Sequence, residues 1–202
     1  QSNSIKFDES SFITFNYDIG LDFALRCSRS HEINYGFDSD KFGVKLLKLH
    51  GSINWKLNKG KNVDIEDLQK YKKNEIVDSR PYDSGIIDLK INNPFIIPPT
   101  WNKGKEYEML KNVWKTAAKE LKEASNIYVL GYSLPETDTF FRYLFALGTM
   151  GEFNLRKFWI YDPDINAKVR YEELLGRGIS EKGFKHFELK FGEVLDNGDK
   201  GW

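Results

Sequence analysis

The chain has 202 residues, of which 30% are charged and 15% aromatic, a size and composition that suit one sizeable α/β domain. Thirty Lys and Arg balance thirty Asp and Glu, so no net field draws nucleic acid or an anionic membrane to it. The single cysteine, Cys27, excludes an internal disulfide and any multi-cysteine zinc site, and no apolar stretch reaches the length of a membrane span. The protein is expected to carry no signal peptide and to be cytoplasmic.

In chain order, the apolar run at 12–15 with its β-branched pair Ile13 and Thr14 predicts a buried strand. Asp18 is placed to cap a helix over 19–27, where Leu21, Ala24 and Leu25 share a face and Cys27 reads as an inert, partly buried thiol. Residues 28–43 read as loop, with Asn34, Gly36 and the run Asp38-Ser39-Asp40 as breakers. A second strand is predicted over 44–49, with Gly51-Ser52 read as its end, so that His50 is a strand-end histidine. Residues 56–93 have no sustained period and predict an irregular insertion, with room for a short helix over 65–71 and a strand over 85–89. The prolines of 94–99 bound a short strand that returns to the core.

The clearest helix spans 107–124, where Leu110, Val113, Trp114, Ala117, Leu121 and Ala124 form one apolar face. A strand over 126–130, the turn Gly131-Tyr132-Ser133, a helix over 136–147, a strand over 158–161, the turn Asp162-Pro163-Asp164, a helix over 166–175 and a strand over 184–189 complete the chain. Alternating strands and helices imply right-handed crossovers and a mostly parallel, Rossmann-like sheet with helices on both faces. In such a sheet the turns Asn16-Tyr17-Asp18, His50-Gly51-Ser52, Gly131-Tyr132-Ser133 and Asp162-Pro163-Asp164 fall along one edge, where open α/β sheets bind ligands. Strand-ending turns are commonly polar, and His50 alone reads as a residue that bonds its own turn. The histidine and the asparagine placed directly after buried strands go beyond that pattern.

With these residues set out, the chain resembles a sirtuin-related (SIR2-like) domain of the prokaryotic antiphage-defence type. T-F-N-Y-D at 14–18 resembles the family's T-Q-N-I-D element, K-L-H-G-S at 48–52 its catalytic-histidine motif, and G-Y-S-L at 131–134, followed by Pro135, Glu136 and Asp138, its G-T-S-L turn. The likeness covers residues 12–164, with the motifs in the family's order. It implies that His50 is a general base acting on a ribose hydroxyl or water, with Asn16 near the nicotinamide ribose and Asp18 near the carboxamide. Gly131, Tyr132 and Ser133 would approach the ribose or phosphates, and Asp162 the adenosine ribose. NAD is then the substrate, and no metal is called for. The implied activity is hydrolysis of the nicotinamide–ribose bond in the intact protein, as a defence effector that depletes NAD. A homo-oligomer and a phage-derived activator are the implied partners.

Two departures from the family shape the reading. No cysteine follows Ser52, so the zinc module of the deacylases is missing from the sequence and deacylation is disfavoured. The family's opening strand and its glycine-rich phosphate loop are also missing, so the 202 residues read as the C-terminal portion of one sirtuin-like domain, a piece of a longer chain. The alternative class is a non-catalytic module that senses NAD or ADP-ribose.

Overall fold

The structure, a computed structural model, describes residues 9–29, 32–38, 41–59, 62–66, 93–98, 105–136, 139–149, 155–176 and 183–196. It is a mixed α/β chain that divides into two compact units within one helix, between Thr116 and Ala117.

The first unit is built on β1 (Ser11–Thr14), α1 (Gly20–Arg29), β2 (Ile33–Asn34) and β3 (Val44–Lys48). β3 is the centre of a parallel sheet of order β1-β3-β2, with Thr14 opposite Lys48 and Ile33 opposite Val44. The run Leu46-Leu47 is apolar without alternation because a central parallel strand is covered on both faces, and both side chains are fully buried. α1 starts where the sequence places it: the Asp18 carboxylate accepts the Gly20 N–H at 2.8 Å, satisfying one of the free donors of the first turn. β2 falls inside the segment read as loop. Two residues are too short for a periodic signal, and the pairing with β3 makes the strand.

The chain then leaves the parallel sheet. The expectation that Gly51-Ser52 ends a strand is corrected: β3 stops at Lys48, Leu49 and His50 form a turn, and Gly51 opens β4 (Gly51–Leu57). The reason is conformational. Gly51 has φ +84°, and a Cβ there would lie 2.1 Å from the Phe95 carbonyl oxygen, so glycine is needed to turn the chain and to start the new ladder. β4 pairs antiparallel with β5 (Val63–Ile65) on one side and with β6 (Pro94–Ile96) on the other. The start of the predicted insertion is therefore a hairpin, and the 94–96 strand joins this second sheet rather than the parallel one. The helix and strand predicted within 65–71 and 85–89 lie outside the described residues, apart from Ile65 and Glu66.

α2 (Lys105–Glu123) carries the predicted apolar face, with Leu110, Val113, Trp114, Ala117 and Leu121 all buried. The second unit continues with β7 (Asn126–Leu130), α3 (Thr139–Thr149), β8 (Lys157–Tyr161), α4 (Ile165–Leu175), β9 (Phe184–Phe187) and α5 (Phe191–Asp196). Its sheet is parallel, of order β7-β8-β9. Phe158 packs towards Phe145 of α3 and Tyr171 of α4, at ring separations of 5.9 and 5.5 Å. On the opposite face Trp159 and Tyr161 gather with Phe187 and with Val194 of α5. Helices therefore cover both faces of this sheet, and α5 is an element the sequence reading did not place. Among the described residues no helix is long and apolar enough to cross a membrane.

Candidate functional site

In the parallel β1–β3 pair, both strands end on the same side, so the turn after β1 and the turn after β3 are neighbours. The Leu49 N–H donates to the Thr14 carbonyl at 3.0 Å, and the Ile53 N–H to the Tyr17 carbonyl at 2.9 Å, lacing the two turns together. Asn16 stands between them with its backbone N–H donated to Thr14 Oγ1 and its side chain exposed. Tyr17 is exposed, and Asp18 is exposed but engaged as the cap of α1. The His50 ring is half-buried, 5.6 Å from the Phe15 ring and 6.3 Å from that of Trp114. Its carbonyl accepts the Ile97 N–H at 2.9 Å. Trp114 supports the turn from α2, donating its indole N–H to the Leu49 carbonyl at 3.0 Å. His50, Asn16 and Asp18 are thus brought to one sheet edge, whereas the Gly131 and Asp162 turns, expected along the same edge, follow strands of a separate sheet.

Directly beneath lies a group of residues that the sequence reading missed. Lys48 and Asp22 are fully buried and paired at 2.9 Å. The same ammonium donates to Ser52 Oγ at 2.6 Å and to the Asp18 carbonyl. Asp22 accepts the Tyr35 hydroxyl at 2.6 Å through its other oxygen, and Ser52 Oγ reaches the Tyr17 carbonyl at 3.3 Å. Every charged atom is answered, which is the condition for tolerating charge in a dry interior. Burial, with the Asp22 carboxylate adding to it, drives the Tyr35 hydroxyl well above its ordinary range, so it stays a protonated donor. A signal existed: Lys48 interrupts a run buried on both faces, and Asp22 sits three residues after Ile19 and three before Leu25, on the buried side of α1.

The remaining predicted residues belong to the second unit. Gly131 has φ +63°, open space where a side chain would be, and its N–H on the Tyr161 carbonyl at 2.9 Å. Leu134, fully buried, also has a positive φ of 53°, so the G-Y-S-L turn carries a strained leucine held by its burial. The Tyr132 carbonyl accepts the Tyr171 hydroxyl at 3.0 Å, and the Ser133 carbonyl accepts Arg170 Nε at 2.8 Å. Arg170 also binds the Asp164 carboxylate at 2.5 Å, so one guanidinium clamps the turns after β7 and β8. That contact, followed by the Asn166 N–H, holds the Asp164 carboxyl below its ordinary range. Asp162 is buried, with one carboxylate oxygen accepting the Asp164 N–H at 2.8 Å and its carbonyl meeting His186 Nε2 at 3.0 Å. Its side chain therefore builds its own turn. His186 lies in β9, whereas His31 and Asp138 lie outside the described residues, as does the thiol of Cys27.

Among the described residues no group of three or more His, Cys, Asp or Glu is gathered as a metal-binding set. Compared with known proteins, the chain matches no family model and no curated sequence.

Proposed function

We propose that the chain is a Rossmann-like, sirtuin-related NAD⁺ glycohydrolase domain, and that the β1–β3 edge is where it acts. The observation that carries this reading is the placement of the half-buried His50 ring beside the exposed Asn16 turn, at the adjacent ends of two parallel strands. Cleavage of the nicotinamide–ribose bond builds positive charge at the anomeric carbon while nicotinamide departs as a neutral base. Water supplies the new C–O bond and must lose a proton as it attacks. An imidazole titrates in the range that suits this base role, and the neutral amide of Asn16 orients a hydroxyl or water without adding charge. The carboxylate of Asp18 is held at the cap of α1, which leaves its second oxygen for the carboxamide of nicotinamide. Gly131, Tyr132 and Ser133 are further proposed nucleotide contacts on the strength of the resemblance, whereas the buried Asp162 carboxylate is engaged by its own turn. On the same reading the protein acts in antiphage defence by depleting NAD.

The test is release of nicotinamide from NAD⁺ by the intact protein, followed by chromatography. Loss of turnover in His50→Ala by about 10²–10⁴-fold, the range for a general base, supports the reading. A comparable loss in Asn16→Ala supports the orienting role. Saturable NAD binding without product in the unmodified intact protein overturns hydrolysis and selects the sensor alternative.

A further inference from the structure

We propose that Lys48 is the positioning residue of this edge: its buried ammonium fixes the Asn16–Asp18 turn at the height of His50. The inference rests on the proposed NAD-cleaving role for its catalytic consequence, but its structural half stands alone. Lys48 is the last residue of β3, two before His50, and its side chain is 1% exposed. Its three partners come from three elements. Asp22 belongs to α1 at 2.9 Å, Ser52 to β4 at 2.6 Å, and the third is the main-chain carbonyl of Asp18, inside the turn itself. Ser52 extends the hold to the Tyr17 carbonyl.

Two consecutive carbonyls of the exposed turn are thus gripped from below by one cation and the hydroxyl it orders. A carbonyl held by an ammonium has little freedom to rotate, so the peptide planes flanking Asp18 are set, and with them the direction in which Asn16 leaves the sheet. Asp22 keeps the ammonium from swinging away, and Tyr35 keeps Asp22 in place. A fold that needed only stability would fill this space with apolar side chains, since a buried ion pair contributes little over a well-packed apolar replacement. The charge is spent on orientation.

The experiment separates position from stability. Lys48→Met strands the Asp22 carboxylate and is expected to be less stable. The triple variant Lys48→Met, Asp22→Leu, Tyr35→Phe removes all the charge and the orphaned hydroxyl, and is expected to regain most of the melting temperature. Leu110→Ala, a buried α2 residue outside the hydrogen-bonded group around Lys48, serves as the matched destabilised control. The expected result is that the triple variant keeps at least a tenfold loss of kcat with KM for NAD changed less than threefold. Hydrogen exchange of the Asn16 and Gly20 amides is expected to be faster in the triple variant and unchanged in Leu110→Ala. Ser52→Ala, which deletes only the hydroxyl, is expected to show the same exchange effect in smaller measure. Return of both kcat and amide protection with the melting temperature overturns the proposal, as does unchanged exchange at Asn16 and Gly20 in Ser52→Ala. Absence of nicotinamide release in the unmodified intact protein overturns the catalytic reading alone, and the exchange measurement still decides whether Lys48 positions the turn.

Discussion

The indole N–H of Trp114 donates to the carbonyl of Leu49 at 3.0 Å, and the same ring stands 6.3 Å from that of His50. A helix residue 65 positions along the chain therefore sets the turn that carries the candidate base. The hydrogen bond is buried, where a lost partner costs more than it would at the surface. Trp114→Phe keeps most of the ring and removes the donor, so a stability loss of about 1–3 kcal/mol is expected from urea denaturation. Trp114→Ala also empties the space and is expected to cost about 3–5 kcal/mol. The His50 ring resonances should move in both variants. Unchanged His50 shifts with the full stability loss would separate the packing role of Trp114 from any hold on the turn.

Gly51 and Gly131 make a paired prediction, because both have positive φ but different surroundings. At Gly51 a Cβ would meet the Phe95 carbonyl oxygen at 2.1 Å, whereas at Gly131 it would meet nothing within 4 Å. Gly131→Ala is expected to cost only the backbone penalty, about 1–2 kcal/mol. Gly51→Ala adds a backbone clash in the β4–β6 ladder and is expected to be the more damaging by a clear margin. Chemical denaturation of the two variants side by side checks the order. Equal costs would mean that the β4–β6 ladder shifts freely to make room.

Much of the fold is legible in the sequence because most elements carry their own periodicity. The alternation or apolar runs at 11–14, 44–48, 126–130 and 157–161, and the 3–4 spacing from Leu110 to Leu121, bring those elements to within a residue or two of their observed ends. What was not legible depends on partners distant in the chain. β2 exists through its pairing with β3, and α5 is a six-residue helix whose Val194 is buried against Trp159 and Tyr161. Gly51 looks like a stop because glycine ends strands, yet here its positive φ starts one. For the candidate site, His50, Asn16 and Asp18 were visible as polar residues after apolar strands. Lys48 shows only as a lysine within an apolar run, and Arg170 not at all, since a long cationic side chain reads as exposed until its partners are known. Asp162 reads equally as a ribose contact or as a turn former, and only the hydrogen bond to the Asp164 N–H displays the second.

Asp164 gives a prediction at acid pH. Its folded carboxyl titrates below the ordinary range, through Arg170 first and then the Asn166 N–H, so the folded state holds its proton less tightly than the unfolded chain. The associated stability is present above the unfolded pKa of about 3.9 and is lost as pH falls through the lower folded value. Asp164→Asn keeps a capping oxygen but gives up the charge facing Arg170. The melting temperature of the unmodified chain should therefore fall further between pH 6 and pH 3 than that of the variant. Since the carboxylate is well exposed, the difference should be small and should shrink further in high salt. Parallel pH profiles would remove Asp164 from the acid response.

Tyr35 gives the opposite limb. Burial and then the Asp22 carboxylate raise its hydroxyl above the ordinary value, so in the folded state it keeps its proton at a pH where the unfolded chain has released it. A raised folded value means that the stability is fully present below the unfolded pKa of about 10 and is lost as pH rises from there towards the folded value. In Tyr35→Phe the hydroxyl is gone, and Asp22 loses a hydrogen bond worth about 1.5–3 kcal/mol, the range for a charged acceptor. The variant should therefore be less stable at pH 7, yet lose less further stability between pH 9 and pH 11 than the unmodified chain. The two curves should converge on the alkaline side, because ionisation of the Tyr35 hydroxyl stabilises the unfolded form of the unmodified chain there, and the variant has no such hydroxyl. Denaturation monitored at pH 7, 9, 10 and 11 reads this directly. Curves that stay parallel to pH 11 would show that the fold does not hold the Tyr35 hydroxyl protonated beyond its ordinary range.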